Sequence, residues 1–214
     1  MRDRKKSNLE AARARMYREL IFECAERVFA EQGFEGSTMQ DIAAEAGVSL
    51  KTLYATFPGK KEIYREVRRV RAGQFVEHVA SVVRGGSAWD RMERGVRAYV
   101  EFLVEHRAFF RILVREGQSW GLVPTGEART QWRDGVKMQA ELLRQGIEEG
   151  IFHDGDPELM AATGVAVMQV QLAGLLERSS KVDPQAICDE ILLQLERLFC
   201  RTPRAHAPLR TAAV

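Results

Sequence analysis

The sequence predicts an all-α protein, and three observations carry that prediction. Apolar residues recur at spacings of three and four through nearly the whole chain, the period of a helix with one buried face. Helix-start signals recur too, most sharply at Asp156–Pro157 and Asp183–Pro184, each an N-cap residue followed by proline at the first helical position. No run shows the strict alternation of a half-buried strand. With 214 residues there is room for one sizeable domain, or for a small module fused to a larger one.

The elements follow in order. Residues 15–31 carry Leu20, Ile21, Cys24, Ala25, Val28 and Phe29 on one helical face, and Gly33 is the expected stop. Residues 1–14 read as a flexible basic arm. Thr38 is an N-cap with Asp41 three residues on, opening a short helix whose apolar side is Met39, Ile42, Ala43 and Ala46. Gly47 ends it, and Ser49 caps a third helix holding Leu50, Leu53, Tyr54 and Phe57. Pro58–Gly59 breaks the chain, and a fourth helix opens at Lys60 or Lys61 and runs to about Val83. Beyond Gly85–Gly86, helices are expected over 88–105, about 107–116 and 127–149, with a Gly/Pro-containing loop over 117–126. The two Asp-Pro starts open helices to about Arg178 and Phe199, and the tail from residue 202 is expected to be disordered.

Composition narrows the function. Apolar residues at 45% and charged residues at 29% are ordinary for a globular domain with a real core. Formal net charge is only +2, but its placement is uneven. Residues 1–71 hold 15 Lys/Arg against 11 Asp/Glu, a net of +4, and the remainder holds 17 against 19, a net of −2. An N-terminal basic excess steers a chain toward phosphates, or merely keeps a tail solvated. No signal-peptide pattern and no uninterrupted apolar run of spanning length is present, so a cytoplasmic protein with no membrane partner is expected. Cys24, Cys188 and Cys200 are too few and scattered for a disulfide scaffold and read as small core residues. The four histidines lack zinc-site spacing, and neither a nucleophile elbow nor a phosphate-binding glycine loop is present. Neither an enzyme nor a cofactor or metal is expected.

The segment from Thr38 to Phe57 points to nucleic acid. Two short helices flank Gly47–Val48–Ser49, a turn tight enough to force a steep crossing. Small Ala43 permits close approach, and Ile42, Val48 and Leu53 fill the space beneath, walled by Val28 and Phe29. One face of the third helix then stays outside, presenting Lys51 and Thr52 at its N-terminal end and Thr56 further on. A helix fits the major groove, and its first residues usually reach base edges. The architecture is therefore an N-terminal three-helix helix-turn-helix domain over 15–60, joined to a larger helical domain over 61–201.

The same stretch resembles the DNA-binding domain of TetR-family transcriptional regulators. The likeness runs from Arg18 to Ile63 and rests on Phe29–Ala30–Glu31–Gln32–Gly33–Phe34, Thr38–Met39–Gln40–Asp41–Ile42–Ala43, Ala46–Gly47–Val48–Ser49, Thr52–Leu53–Tyr54–Ala55–Thr56–Phe57 and Pro58–Gly59–Lys60. The resemblance implies that Thr38 meets the DNA backbone, with Gln40 near the groove. It implies that Ser49, Leu50, Lys51 and Thr52 face bases or phosphates, that Tyr54 and Thr56 occupy contact positions, and that Lys60 reaches a phosphate. Leu50 departs from the small or polar residues usual there; it packs on a thymine methyl or is buried. Tyr54 also suits a core aromatic with a wet hydroxyl. Positive charge at Lys60 opposes the helix dipole, a mismatch that a phosphate would offset.

For the larger domain the likeness is one of architecture, and it implies effector binding and dimerisation. Phe75, Tyr99, Phe102, Phe109, Phe110, Trp120, Trp132 and Met138 are the candidates for an effector cavity, favouring a small apolar or aromatic molecule; as bulky residues they also suit a plain core. The resemblance places the dimer surface on the last two helices. Candidates there are Ala161, Ala162, Gly164, Val165, Met168, Leu172 and Leu175, with Ile191, Leu192, Leu195 and Phe199. The alternative is that both stripes pack inside one chain. The expected function is a ligand-responsive regulator, a repressor that binds a palindromic operator as a homodimer and is released by a small molecule. A ligand-insensitive or corepressor-dependent regulator is the other reading.

Overall fold

A computed structural model describes residues 2–115, 127–178 and 183–202, and only the helical backbone of 2–10, 127–134 and 175–178. The described residues are helical throughout, apart from turns and one isolated bridge between Phe152 and Cys200. The helices are α1 (Arg2–Gly36), α2 (Met39–Glu45), α3 (Leu50–Thr56), α4 (Lys60–Val82), α5 (Ala88–Glu105), α6 (Arg107–Arg115), α7 (Glu127–Glu148), α8 (Pro157–Arg178) and α9 (Pro184–Phe199). None of them, among the described residues, is long and apolar enough to cross a membrane.

The local signals worked where the physics is local. Asp156 Oδ1 accepts from the Glu158 amide at 2.9 Å, and Asp183 Oδ1 accepts from the Gln185 amide at 3.0 Å. Gly33 breaks α1 with φ 77 and ψ 170, a conformation that residues with a Cβ rarely adopt. The first helix differs from expectation at its start. It reaches back to Arg2 where a flexible arm to residue 14 was expected. Leu9-Glu10-Ala11-Ala12-Arg13-Ala14-Arg15 is a run of strong helix formers with no breaker, so the helix propagates beyond its packed part. The expected loop over 117–126 and the tail from residue 203 lie outside the described residues.

Two compact units divide the chain. The first takes in residues up to Gln74 together with His106–Arg115, which is more than the expected 15–60. The apolar face of α1 is too broad for α2 and α3 to cover. Ile63 and Val67 of α4 and Ile112 of α6 complete a core with Ile21, Cys24, Val28, Phe29, Ile42, Leu53 and Phe57. Arg115 ties α6 to α1 by donating to the Glu31 carbonyl at 2.7 Å. A buried ion pair, Arg71–Glu26 at 2.7 Å, crosses from α4 to α1.

The second unit holds residues 75–105 and the chain from 116 onward. Its core is built from Trp89, Met92, Val96, Val100 and Leu103 of α5, Val136, Ala140 and Leu143 of α7, and inward stripes of α8 and α9. Gly146 is required by packing, since a Cβ there would stand 2.1 Å from the Phe152 ring. Phe152 is fully buried and meets Trp89 edge-on. Arg201 then fastens the end of α9 to the α7–α8 turn through the Phe152 carbonyl and Asp154. Cys188 is buried among these helices, and burial pushes its thiol up to about 12.

The residues expected at the dimer surface fall into two groups. Ala161, Gly164, Met168, Leu172, Ile191, Leu192, Leu195 and Phe199 are already buried within the single chain. The gap at Gly164 is filled by the chain's own Phe199 ring, 3.4 Å from where a Cβ would stand. Ala162 and Val165 are half-buried, and the Leu175 side chain lies outside the described residues. Helical periodicity marks a face as apolar without saying what covers it. Here α8 packs against α7 and α9, and α9 against α5 and α8.

Candidate nucleic-acid interface

The interface is assembled by caps. Thr38 Oγ1 accepts from the Asp41 amide at 3.1 Å, while the Thr38 amide and hydroxyl both donate to Asp41 Oδ2, at 2.9 and 2.7 Å. This reciprocal box fixes the start of α2 and consumes the carboxylate of Asp41. The chain turns at Gly47, whose φ of 62 suits glycine although nothing lies within 4 Å of a Cβ built there. The Val48 amide donates back to the Ala43 carbonyl at 3.0 Å. Ser49 then caps α3, its hydroxyl accepting from the Thr52 amide at 3.1 Å and sharing a 2.9 Å hydrogen bond with the Thr52 hydroxyl.

The caps set what α3 shows to the outside. Leu53 is fully buried against fully buried Ile42, with Ala43 beside them. The opposite side carries Leu50 at 38% exposure, Lys51 exposed and Tyr54 at 53%. Leu50 and Tyr54 are therefore surface residues, which removes the core reading left open for each. Thr52 and Thr56 are half-buried, and the Thr56 hydroxyl is turned inward onto the Thr52 carbonyl at 2.9 Å. Thr38 and Gln40 are exposed at the start of α2.

Acidic charge is kept from this surface. α3 contains no Asp or Glu, Asp41 is spent in its cap, and Glu45 is paired with Arg27 at 2.9 Å. What remains, among the described residues, is a capped helix N-terminus, exposed Lys51, the paired Ser49 and Thr52 hydroxyls and the exposed Tyr54 phenol. That set can meet phosphates through donors and base edges through Lys51 and its neighbours.

Lys60 is where sequence reasoning saw least. Its Nζ donates to the Ser37 carbonyl at 2.7 Å and to the Phe34 carbonyl, and it sits 4.4 Å from the centroid of the Phe34 ring. The dipole mismatch expected at the start of α4 is thus offset by the carbonyls that end α1. No local pattern signals this, because the partners are more than twenty residues away.

The aromatic candidates of the second unit separate. Phe75 of α4 meets Tyr99 and Phe102 of α5 with centroids 5.8 and 5.5 Å apart. His78, one turn beyond Phe75, lies 6.0 Å from Phe102 and was not anticipated. Its Nε2 is buried without a hydrogen-bond partner, and burial pushes the Tyr99 phenol well above its ordinary range. Phe109 and Phe110 are buried on α6, in the first unit, and do not belong to this cluster. Met138 is 56% exposed and fills no interior. Trp120 and the Trp132 side chain lie outside the described residues.

Comparison with known proteins agrees with this geometry. The family model "Bacterial regulatory proteins, tetR family" matches residues 21–67, and the model "Tetracyclin repressor-like, C-terminal domain" matches residues 85–171. The HTH-type transcriptional repressor KstR2 of Mycobacterium tuberculosis is 29% identical over 143 residues, covering 65% of this chain and 72% of that protein. The HTH-type transcriptional repressor SCO4008 of Streptomyces coelicolor is 27% identical over 199 residues, covering 90% of this chain and 97% of that one. Among solved structures, the ketosteroid transcriptional regulator KstR2 superposes with a TM-score of 0.75 at 24% identity, covering 86% of this chain and 95% of its own. AibR, solved with isovaleryl coenzyme A and operator DNA, superposes with a TM-score of 0.70 at 21% identity, covering 86% of this chain and all of its own (100%).

Proposed function

This chain belongs to the tetR family of bacterial regulatory proteins, and we propose that it is a repressor that binds a palindromic operator as a homodimer and leaves it when a small molecule binds. The observation that carries the DNA half is the outer face of α3, where Leu50, Lys51 and Tyr54 stand exposed on a capped helix that has no carboxylate of its own, with Asp41 and Glu45 of α2 both paired. Lys51 and Thr52 read bases, with Leu50 against a thymine methyl. Thr38, Gln40, Ser49, Tyr54 and Thr56 position the helix on the backbone.

The dimer half moves to the outside of α8. Leu159, Ala162, Ala166, Val170 and Ala173 share one face at helical spacing, and Leu159 and Val170 are 66% and 48% exposed. Exposed Leu159 and Val170, with half-buried alanines between them, form an apolar face that supports pairing with a second copy across a two-fold axis. One recognition helix reads only a few base pairs, so a symmetric pair gains both affinity and specificity.

The effector half rests on the Phe75, His78, Tyr99 and Phe102 cluster, which suits an apolar molecule bearing one hydrogen-bonding group. One similar structure is that of a ketosteroid regulator, whose name fits that class; isovaleryl coenzyme A, bound in another, shares with it only a small apolar acyl group. Release requires that the effector prefer a dimer whose recognition helices are mis-spaced for the operator.

Selection of bound sequences from genomic DNA with purified protein tests the reading. A palindromic site should be enriched, and Lys51→Ala or Thr52→Ala should alter its base preference more than general affinity. Enrichment of nothing by a folded dimer would overturn operator binding. An effector that tightens the complex would replace release with a corepressor mechanism.

A further inference from the structure

We propose that the N-terminal stretch of α1 is a second, sequence-independent DNA contact: a basic helical arm that lies against phosphates beside the groove that α3 enters. The inference rests on the operator-binding reading above for where the DNA lies, and on the placement of charge for its substance. Residues 1–18 hold seven Lys/Arg against two Asp/Glu. Residues 19–71, which contain both helices of the turn motif and the start of α4, hold eight against nine. Without the arm, the stretch proposed to read DNA is therefore net negative, while a duplex carries a negative charge about every 1.7 Å of its axis. The three arginines of α6 enter the unit elsewhere: Arg115 donates to the Glu31 carbonyl, near the C-terminal end of α1.

The path of α1 brings the arm to the right place. Toward its N-terminus, α1 passes the end of α2, where Arg27 Nε meets Glu45 Oε1 at 2.9 Å. It then passes the end of α3, where the Arg18 guanidinium carbon stands 4.5 Å from the centroid of the Phe57 ring. Tyr17 still packs on the core, and residues 11–16 are all exposed. From Arg2 to Met16 the helix runs on for about 22 Å at a rise of 1.5 Å per residue. The major groove is about 12 Å wide. An arm of that length, starting at the C-terminal end of a helix laid in the groove, reaches the phosphates along its rim.

The arm is also electrostatically mismatched while it stands alone. Arg2, Arg4, Lys5 and Lys6 fall in the first turns of α1 with Asp3 as the one acid among them, and cations at a helix N-terminus oppose its dipole. Phosphates beside these residues offset both that mismatch and the mutual repulsion of the cations. Such contacts carry no sequence information, so the arm adds affinity and speeds encounter without changing which site is chosen.

Full-length wild type and one variant, Arg2→Gln with Arg4→Gln, Lys5→Gln, Lys6→Gln and Arg15→Gln, are titrated with the selected operator and with random duplex over a range of salt. Glutamine keeps the helix propensity, and Arg13 is left in place because it donates to the Tyr17 hydroxyl at 3.2 Å. The variant should bind both duplexes about a hundredfold more weakly near 0.15 M salt, with a salt slope lower by about 0.9 per phosphate lost, about 3 in all. The base preference of the selected site should not move. Equal slopes and affinities for the two proteins would make the arm a solvated tail and overturn the proposal. So would a loss confined to the operator with altered base preference, which is base reading, or a variant that light scattering shows to be monomeric, which is a dimer element.

A second measurement needs no variant. In isotope-labelled wild type, the amide signals of residues 2–15 should shift when random duplex is added at low salt and return at high salt. No shift there overturns the arm even if the variant misfolds. If wild type selects no sequence yet binds random duplex through these residues, the operator reading falls and the arm stands. If it selects a palindrome that the variant binds equally well, the arm falls alone.

Discussion

The two compact units treat their buried polar atoms differently. In the first, among the described residues, the polar groups inside or beside the core have partners. Asp41 closes the box at Thr38, Glu26 holds Arg71, Ser37 donates to Phe34, and Lys60 caps the end of α1. In the second, His78 Nε2, Arg91 Nε, Arg97 Nη1, Gln169 Oε1 and Gln171 Oε1 are buried with none. Each such atom carries a desolvation cost of about 1–3 kcal/mol. A unit proposed to present one helix to a DNA groove gains from saturation, since a fully satisfied polar network fixes one arrangement. A unit proposed to receive an effector and a second copy holds polar atoms that a partner would satisfy.

The largest expected effect separates the two faces of α8. Met168→Glu places a carboxylate where the single chain already leaves only 6% exposure, so it should cost several kcal/mol and unfold the second unit before it touches dimerisation. Val170→Glu, on the outer face, should give a folded monomer. Chemical denaturation with light scattering distinguishes them. A Val170→Glu protein that remains a dimer of native affinity would show that this face is not the interface.

Next comes the first unit's buried pair. Glu26→Met strands Arg71, whose side chain is 13% exposed, and should cost about 3 kcal/mol. Glu26→Met with Arg71→Met should recover most of that loss, because neither charge is then buried alone. Urea titration of the three variants gives the coupling directly. A single variant no less stable than wild type would mean that the saturation of this unit is incidental.

The smallest effect has the opposite sign. Gln171→Leu replaces an unpartnered buried oxygen with an apolar group of similar size, and should leave stability unchanged or raise it by about 1 kcal/mol. The same kind of change at Thr38, Thr38→Val, should lower stability by about 1 kcal/mol by removing a cap. If Gln171→Leu instead loses as much as Thr38→Val, the contrast between the units disappears.

Much of this molecule was legible without coordinates, and for a local reason. Thr38 with Asp41, Ser49 with Thr52, Asp156 with Glu158 and Asp183 with Gln185 are caps made within two or three residues, so sequence neighbours determine them. The breaks at Gly33 and Gly47 follow from the positive φ that glycine tolerates. These signals were enough to place the turn, α3 and both late helices, and to leave α3 with an outer face.

What tertiary structure alone decided was the partner of each apolar or charged group. Periodicity marked Met168, Leu172, Ile191 and Leu195 as apolar, but only packing showed that the helices of their own unit, α5 and α7 as well as α8 and α9, bury them. Phe109 and Phe110 suited a cavity by type, yet α6 joined the first unit because α1 needed a further wall. Lys60 looked free because its neighbours in sequence offer nothing, and its carbonyl partners arrive from another helix. A helical repeat defines a face through bonds four residues long. The occupant of that face is set by contacts between residues far apart in sequence, where burying apolar area and pairing polar atoms compete over the whole unit.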